Sequence, residues 1–428
     1  MIQVMFKNFI QKKIEKYAQK YINKQQPKLV LVTGSVGKTS TKLAIATVLS
    51  EKYRVRVHEG NHNTHMSVPL GILGIAYPDN IRSLGAWLKV RKAAKQRIKS
   101  KTNDCDVIVQ ELGTDQPGDI PHFGTYLHGD VAVVTAVSPE HMEFFKTIDA
   151  VAQEELSVSN FSSITAINRD DISGEYAKYI TNPEFDTYGL GGAAEYRFLI
   201  EDQRLANIKG ALITPSLADI KAELHVASEA GVKAAVAAGF VAERLGLGPE
   251  EIAAGLNKIT APSGRMNILR GLKDTIIIDD TYNSSPLAVE SALKMLYQQE
   301  APQRIAVLGS MNELGDMSAS EHEKIGKLCS SELLHYVVTI GEESEKYLAP
   351  AAKSNGCLVK SFPDPISAGT FVHSILEPRA VVLFKGSQNG VFSEEAIKPI
   401  LHNSSDERKL VRQEPEWLAK KSAQFDAF

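Results

Sequence analysis

A short glycine-rich loop carries the residues with the most recognisable chemistry in this chain. The segment Gly34-Ser35-Val36-Gly37-Lys38-Thr39-Ser40 follows an apolar run at 29–32 and precedes a helical pattern from 41 to about 50. Glycines let backbone N–H groups curl around a polyphosphate, and the N-terminus of the following helix faces the same anion. In such a loop Lys38 reaches the β- and γ-phosphates, and the Thr39 hydroxyl reaches Mg²⁺. The pattern predicts a nucleotide-phosphate site.

The loop is shorter than the usual G-x-x-x-x-G-K-[ST] pattern, because position 32 is Val and not Gly. The alternative interpretation is a glycine turn between a strand and a helix, with Lys38 exposed to solvent. The apolar strand before the loop, the helix after it and Gly-Lys-Thr between them favour the phosphate site.

Acidic residues and a histidine follow the ends of two further apolar runs. Glu111 ends the run 106–111, and the segment 138–143, with His141, follows the run 131–135. Ligands bind beyond the C-terminal ends of strands in open parallel sheets, so both should face the phosphate loop. Glu111 is a natural ligand for Mg²⁺, a hard cation that takes oxygen donors.

Two interpretations are open for His141. It either binds a second metal ion or a phosphate, or it is an ordinary polar loop residue. Glu154 and Glu155 lie on the next predicted helix, where one of them can point at the same site.

Length and composition narrow the class of protein. A chain of 428 residues is long for one core and predicts two or three domains. The net charge of −3 gives no support for nucleic-acid binding. Its cysteines, Cys105, Cys329 and Cys357, share no metal-binding or redox spacing and are expected to be reduced thiols. No apolar run is long enough to span a bilayer. Lysines interrupt the apolar N-terminus, so a cleavable signal peptide is not predicted. A cytoplasmic enzyme is expected.

Two basic helices are predicted, over residues 1–27 and 86–101. The first is amphipathic, and we favour a helix packed on the next domain. Its alternative interpretation is a helix lying on an anionic membrane surface, which would locate the protein peripherally at the inner membrane face. The second has basic side chains up to Lys101. A solvated helix face is favoured for it, and contact with an acidic substrate or lipid headgroups is the alternative.

The remaining elements follow an α/β rhythm. Strands are predicted at 55–57, 106–111, 131–135 and 163–168, then antiparallel strands within 195–213, a long Ala-rich helix over 228–245 and a hinge at 261–264. A second series has strands at 275–279, 304–308, 336–340 and 380–384, helices from Pro286, Ser320 and Ser393, and a weakly patterned tail that Trp417 anchors. The predicted fold class is α/β. After the helix 1–27 come a phosphate-loop domain with a mostly parallel sheet at 28–262 and a Rossmann-like domain at 263–428.

Further short motifs occur in a fixed order between about residues 29 and 400. Besides the phosphate loop they are the segment around 61–69, Glu111-Leu112-Gly113, Glu140-His141-Met142-Glu143, Asn168-Arg169-Asp170-Asp171, Ser263-Gly264-Arg265, Asp279-Asp280-Thr281-Tyr282-Asn283, Gly309-Ser310-Met311-Asn312-Glu313-Leu314-Gly315 and Lys385-Gly386-Ser387. No single motif is decisive, but the ordered set is highly specific. With these motifs the chain resembles the Mur ligase family of ATP-dependent amide-bond ligases.

The resemblance implies a reaction in peptidoglycan or related cell-wall precursor synthesis. A substrate carboxylate attacks the γ-phosphate of ATP to give an acyl phosphate, and an amine then displaces phosphate to form an amide. The implied cofactors are ATP and Mg²⁺, and the implied partners are a small-molecule carboxylate and an amine. Such catalysis rests on positioning and on cations that neutralise the transferring charge.

The resemblance also implies roles for residues of this chain. Lys38 and Thr39 hold the phosphates and the first Mg²⁺, which Glu111 completes, and His141 serves the second Mg²⁺. Arg265 and Asp280 reach the γ-phosphate and the ribose when the domains close. Asn283 and Lys385 are weaker candidates for the same closed site.

Three departures from the family pattern matter. Family members carry a carbamylated lysine on the helix after the His141 loop, where this chain has Glu155. The Glu155 carboxylate is therefore expected to supply similar charge to the second metal without carbamylation.

The second departure concerns the adenine. Gly231 and Ala234 stand where family members place asparagines near the adenine, which leaves the nucleotide preference open. Finally, the phosphate loop begins at about residue 33, so we expect the UDP-binding N-terminal domain to be missing. The acceptor is then lipid-linked or carried differently, or a partner protein supplies the missing surface.

Other functions stay open at this stage. Among enzymes, the alternative is a ligase for another carboxylate, such as a folyl or polyglutamate-like chain. From a different class comes a non-catalytic ATP-binding subunit of a complex. A kinase or plain ATPase is least favoured, because Arg265 and Asp280 would then have no clear role.

Overall fold

The computed structural model describes residues 2–58, 60, 62–78, 80, 83–100 and 103–425. Asn61 and Lys101, which belong to the predicted 61–69 segment and second basic helix, lie outside the described residues. The α-helices are α1 (Ile2–Gln25), α2 (Lys38–Leu49), α3 (Ser67–Leu73), α4 (Leu84–Lys99), α5 (Asp119–Phe123), α6 (Met142–Phe145), α7 (Ile148–Leu156), α8 (Glu229–Arg244), α9 (Pro249–Leu256), α10 (Pro286–Tyr297), α11 (Ser318–Leu328), α12 (Ala349–Ser354), α13 (Pro365–Ile375) and α14 (Pro415–Phe425).

The strands form two sheets, which confirms the predicted α/β class. They are β1 (Lys28–Thr33), β2 (Val55–Val57), β3 (Val107–Glu111), β4 (Gly129–Val134), β5 (Ser162–Asn168), β6 (Phe185–Gly189), β7 (Tyr196–Arg204), β8 (Asn207–Ile213), β9 (Ile220–Leu224), β10 (Asn267–Arg270), β11 (Ile276–Asp280), β12 (Arg304–Gly309), β13 (Tyr336–Ile340), β14 (Val359–Phe362) and β15 (Val381–Lys385). We refer to the parts of the chain built on the two sheets as the first and second units.

The sheet of the first unit brings the predicted site residues to one edge. Its strand order is β2-β3-β1-β4-β5-β6-β7-β8-β9, and the strands from β2 to β7 pair in parallel. The carboxyl ends of β1, β3 and β4 therefore lie side by side, with Thr33, Glu111 and Val134 as their last residues. The antiparallel strands expected within 195–213 are confirmed as the pair β7 and β8.

Helices cover both faces of this sheet, which explains why its central strands read as apolar runs. On one face α2, α8 and α9 pack on the strands through small and branched side chains. On the other, α1, α3, α5 and α7 contribute the buried apolar side chains. The alanines of α8 let that helix lie close to α2, and the Ser228 hydroxyl caps its N-terminus by accepting from Gly231 N at 3.3 Å.

The favoured interpretation of the N-terminal helix is confirmed, because α1 packs on the first unit. Ile14 is 3% exposed and shares a cluster with Trp87 and Val90 of α4. Further along, Tyr21 is buried and donates a hydrogen bond to Asp104 Oδ1 at 2.9 Å. Among the described residues, no helix has the length and apolar character needed to cross a membrane.

The second unit repeats the α/β plan with six strands in the order β10-β11-β15-β12-β13-β14. Only the edge pair β10 and β11 is antiparallel. The four strands predicted for the second series are present, with ends shifted by one residue or none. The structure also contains β14, α12 and α13, which were not predicted. The predicted hinge 261–264 lies outside helices and strands, between α9 and β10. Its motion and the domain boundaries after residues 27 and 262 stay predictions.

Two details of the second unit differ from expectation. The helix expected from Ser393 consists of two short 3₁₀ turns, Ser393–Ala396 and Lys398–Ile400. Pro399 has no N–H to donate, so a continuous α-helix is interrupted there. The tail is more ordered than its weak pattern indicates, since it forms α14. Trp417 lies on this helix with its ring 6.2 Å from that of Phe392, as the anchoring prediction requires.

The packing of α1 is testable by truncating its most buried branched side chain. Ile14→Ala should lower the free energy of unfolding by about 2–4 kcal/mol, because it removes buried methylene groups and leaves a cavity against Trp87. Lys16→Ala, on the exposed face of the same helix, should change it by less than about 0.5 kcal/mol. Denaturant unfolding of both variants measures the difference. Equal effects would contradict the packing described.

Candidate active site

The phosphate loop is shaped by close contact with the end of β4. Gly34 and Gly37 have φ angles of 122° and 90°, a region that side chains rarely adopt. A Cβ on Gly34 would lie 2.3 Å from Thr135 Oγ1 and 2.8 Å from Ala136 N, so no larger residue fits there. Thr135 in turn donates its hydroxyl proton to Val36 O at 2.6 Å. The loop is therefore a preformed backbone concavity at the N-terminus of α2.

Lys38 folds back over this concavity. Its ammonium group donates to the carbonyl of Gly34 and lies 3.5 Å from Glu140 Oε1. Burial alone would lower the pKa of Lys38, but the neighbouring carboxylates of Glu140, Glu155 and Glu111 raise it above its ordinary value. The side chain is therefore a cation held among acidic groups, with a stem able to extend towards a bound phosphate.

Glu111 is the best-connected carboxylate of the site. Its Oε2 accepts from Thr39 Oγ1 at 3.0 Å and lies 3.1 Å from Lys42 Nζ, while Oε1 accepts from Asn63 Nδ2 at 3.1 Å. The side chains of Glu111 and Lys42 are each 2% exposed. Burial alone would raise the pKa of Glu111, but Lys42, Lys38 and Arg265 lower it. The ionised form of Glu111 is thus favoured beside the Thr39 hydroxyl, which suits a magnesium site.

Sequence reasoning missed Lys42, although its position carries a signal. Lys42 lies four residues after Lys38, so both side chains lie on neighbouring positions of the same face of α2. Its ammonium group also donates to Gly60 O at 3.1 Å and so ties the loop after β2 to the site.

The segment after β4 adds a second acidic group and the predicted histidine. Glu140 Oε2 is buried without a hydrogen-bond partner among the described residues, and burial raises the pKa of Glu140 to about 8 despite the nearby Lys38. His141 has a φ angle of 49°, and its Nδ1 lies 3.2 Å from Glu313 Oε2 of the second unit. Its Nε2 lies 3.6 Å from Glu140 Oε1. The histidine therefore sits at the junction of the two units.

Glu155 touches the phosphate loop itself. Thr147 caps α7 by accepting from Ala150 N at 3.1 Å, and this helix directs the 1%-exposed side chain of Glu155 at β1. Its Oε2 accepts from Gly34 N at 2.8 Å and from the Thr33 hydroxyl. Its Oε1 is buried and has no hydrogen-bond partner among the residues that the structure describes. No hydrogen bond or ion pair joins Glu155 to His141 among the described residues. The two predicted ligands of a second Mg²⁺ share the site without touching.

The alternative candidate, Glu154, is committed elsewhere. Its carboxylate accepts from Gly118 N at 2.8 Å and Ile120 N at 2.6 Å, and so holds the start of α5. Burial raises the pKa of Glu154 above its ordinary value, with these hydrogen bonds opposing the shift. This carboxylate is part of the scaffold.

The second unit reaches the phosphate loop through Arg265. Its guanidinium donates to Thr39 Oγ1 at 3.1 Å and stacks on the Tyr282 ring, 4.2 Å from the centroid. Behind it, Asp280 Oδ2 pairs with Lys385 Nζ at 2.6 Å, and the same ammonium donates to Asn283 O at 2.9 Å. The structure therefore brings all four predicted second-unit residues to one side of the cleft.

A cleft of about 970 Å³ lies between the units. Its walls include Lys38, Thr39, Glu111, Glu140, His141, Arg265, Asp280, Asn283 and Lys385, but not the buried side chains of Lys42 and Glu155. Gly231 and Ala234 of α8 also line the cleft. Lys233, on the same helix, pairs with both oxygens of Asp171 at 2.9 Å. The amide of Asn168, which also lines the cleft, donates to Asp171 Oδ2 at 2.8 Å, so this part of the wall combines small side chains with a hydrogen-bonded ion pair.

The residues present fit a magnesium nucleotide. The loop amides and Lys38 suit phosphate oxygens, and Thr39 and Glu111 suit the cation. Glu140 and Glu155 each keep a buried oxygen without a partner in the described ranges. Within the described ranges, no three His, Cys, Asp or Glu side chains are arranged to hold a metal by themselves. Mg²⁺ characteristically binds through one or two carboxylates together with substrate phosphates, so this arrangement is consistent with it.

Comparison with known proteins identifies the family. The Mur ligase middle domain model matches residues 32–242, and the model of the Mur ligase, glutamate ligase domain, matches residues 264–388. This chain belongs to the Mur ligase family. The resemblance and the ligase class inferred from the ordered motifs are confirmed.

Curated relatives and solved structures agree with this assignment. The chain is 25% identical over 403 residues to the UDP-N-acetylmuramoyl-tripeptide–D-alanyl-D-alanine ligase of Bacillus subtilis, covering 91% of this chain and 79% of that protein. MurF of Acinetobacter baumannii has the same fold, with a TM-score of 0.74, 23% identity and coverage of 91% and 79%. MurF ligase of Thermotoga maritima, solved in complex with ADP, also has a TM-score of 0.74, at 22% identity and coverage of 96% and 84%.

The buried carboxyl of Glu140 predicts a pH effect on this Mur ligase. Its folded-state pKa of about 8 exceeds the ordinary value, so unfolding releases a proton between about pH 4.5 and pH 8. Stability should therefore fall as pH rises through this window, and Glu140→Gln should remove that loss, more than about 1 kcal/mol. Denaturant unfolding at pH 5 and pH 8 measures it. Parallel changes in both proteins would contradict the assignment.

Proposed function

We propose that this Mur ligase joins a carboxylate to an amine with ATP, releasing ADP and phosphate, in the synthesis of peptidoglycan or a related cell-wall precursor. The observation that carries the proposal is the contact of Arg265 with Thr39, 3.1 Å across the cleft. A ligase must hold ATP, carboxylate and amine together, and a cleft between two units that meet at the phosphate loop has walls for all three. The family membership and the named activities of the relatives support the same reaction.

The residues of the cleft have different roles, which follow from their charge and position. Bound MgATP supplies the phosphoryl group that activates the carboxylate as an acyl phosphate. Lys38 and the loop amides hold the phosphates, and Thr39 with Glu111 provides oxygen ligands for the cation. Arg265 adds positive charge from the opposite wall, where charge develops on the transferring group. Asp280, Asn283 and Lys385 are assigned to the ribose and the closed site.

The substrates proposed are small molecules, a peptide precursor with a free carboxylate and an incoming amine. The relatives of this chain are named for joining a muramoyl tripeptide to D-alanyl-D-alanine. A lipid-linked or otherwise carried acceptor, or a partner protein that completes the acceptor site, belongs to the same proposal. A cytoplasmic location with peripheral membrane contact is proposed with it.

The second candidate is a ligase for a polyglutamate-like chain. Folylpolyglutamate synthase of Thermotoga maritima has a TM-score of 0.60 to this chain, and the match covers 96% of this chain and 99% of that protein.

Phosphate release tests the reaction. We expect that release of phosphate from MgATP requires both a carboxylate and an amine. The first pair to test is muramoyl tripeptide with D-alanyl-D-alanine, and the second is a folate with glutamate.

Lys38→Ala should weaken nucleotide binding about 10- to 100-fold and slow turnover further, because it removes a charge-assisted contact to phosphate. Lys221→Ala, an exposed lysine on β9, is the control. Release independent of both substrates would favour an ATPase, and wild-type turnover by Lys38→Ala would refute the site.

Glu155 is proposed to replace the family's carbamylated lysine, so activity should not respond to bicarbonate. Glu155→Gln keeps an oxygen for Gly34 N but removes the charge, and it should raise the Mg²⁺ concentration needed for half-maximal rate. Glu155→Lys should regain activity with bicarbonate if a carbamate forms. Turnover across a Mg²⁺ titration measures both, with exposed Glu175→Gln as control. A Glu155→Gln curve that overlays wild type would exclude the role.

A further inference from the structure

The two basic helices concentrate the positive charge of a protein that is acidic overall. Together α1 and α4 carry twelve Lys and Arg residues and a single acidic one, Glu15, whereas the whole chain has a net charge of −3. Glu15 is 8% exposed and accepts hydrogen bonds from Gln11 and His122, so it does not offset the charge at the surface. The basic side chains are Lys7, Lys12, Lys13, Lys16, Lys20, Lys24, Lys89, Arg91, Lys92, Lys95, Arg97 and Lys99.

The helices lie side by side and run in the same direction. Near their C-terminal ends Gln25 Nε2 donates to Ser100 O at 3.0 Å. Ile14, in the middle of α1, shares a buried cluster with Trp87 and Val90 in the first half of α4. The two rows of basic residues therefore extend along one joint surface, which we call the paired basic helices. The structure, and not the sequence, brings the two rows together.

These charges are available to a partner. Of the twelve basic side chains, only Arg97 forms an ion pair with another described residue, Asp104. An isolated basic helix face of this kind is ordinarily solvated, but twelve charges on two adjacent helices repel each other. An anionic surface would relieve that repulsion.

Apolar side chains are exposed at one end of the same surface. Phe9 is 58% exposed on α1, and Leu84 and Leu88 on the first turns of α4 are 60% and 52% exposed. Because the helices run in parallel, all three lie towards the N-terminal end. Exposed large apolar groups beside lysines are typical of helices that lie in a membrane interface. A nucleic-acid backbone would pair with the lysines but would leave the two leucines in water.

This end of the paired basic helices also borders the candidate active site. Lys7, Asn8 and Gln11, in the first turns of α1, line the cleft that contains the phosphate loop. A surface bound by Phe9, Leu84 and Leu88 would therefore lie next to the cleft opening.

We propose that the paired basic helices dock on an anionic lipid surface, with Phe9, Leu84 and Leu88 in the headgroup region and the cleft opening beside it. The docking follows from charge and exposure and does not depend on the ligase reaction. Its consequence for the acceptor, a peptide held at the lipid surface, rests on the proposed function. Vesicle binding and turnover are separate measurements, so either proposal can fail alone.

Co-sedimentation of the full chain with vesicles tests the docking. We expect binding to phosphatidylcholine vesicles containing roughly 30 mol% phosphatidylglycerol, little binding to phosphatidylcholine alone, and release at about 0.5 M salt. The triple variant Lys16→Gln, Lys92→Gln, Lys95→Gln should bind about 100-fold more weakly, since each lysine near an anionic surface strengthens binding about fivefold. Phe9→Ser with Leu88→Ser should weaken binding at least about tenfold at unchanged charge.

A matched triple variant controls for net charge. Lys221→Gln, Lys353→Gln and Lys360→Gln remove three exposed lysines that lie away from α1 and α4. This control should bind like wild type, and thermal melting should verify that all variants are folded. Four results would overturn the proposal: no vesicle binding, equal binding without phosphatidylglycerol, equal loss in the control triple, or preference for duplex DNA over anionic vesicles in competition.

Discussion

The ion pair between Glu111 and Lys42 is the interaction on which the site depends. A carboxylate that is 2% exposed at the end of a buried strand is tolerated only when it is paired and hydrogen-bonded. Lys42 supplies the charge at 3.1 Å, and Thr39 and Asn63 supply hydrogen bonds. The same carboxylate thereby links β3, α2 and the loop before α3. Thr39 extends the network to Arg265 of the second unit, so the two units meet at a compensated charge.

Beside this compensated pair lie two further acidic side chains. Glu140 and Glu155 lie near Lys38, and each has a buried oxygen for which the described part of the chain offers no hydrogen-bond partner. Burial raises the pKa of Glu140 to about 8, and Glu155 accepts a hydrogen bond from the amide of Gly34. Unpartnered carboxylate oxygens suit a protein whose ligand is a metal complex of a polyphosphate. The metal would pair with these oxygens, and the loop amides would bind the phosphates.

Charge is also divided on the scale of the whole molecule. The cleft brings carboxylates and cations together, whereas the basic side chains of α1 and α4, apart from Arg97, form no ion pair with another described residue. Packing of Ile14 against Trp87 and Val90 orients both helices with their lysines outwards. Apolar burial on one side of α1 thus determines which residues face away from the protein on the other. The helix serves the core of the first unit and also forms a charged surface.

The sequence by itself determined the features that depend on neighbours along the chain. The strand before Gly34, the helix after Lys38 and the strand ending at Glu111 follow from apolar runs and glycines, and parallel strand ends predicted that they would meet. The order of the motifs was enough to indicate the family. Local patterns failed where Pro399 interrupted a helix and where short elements such as β14 carried little signal. Only the tertiary structure decided that Lys42 pairs with Glu111, that Glu155 binds Gly34 N without touching His141, and that α1 and α4 run in parallel. These outcomes depend on side-chain direction and on contacts between residues distant in sequence, which periodicity does not encode.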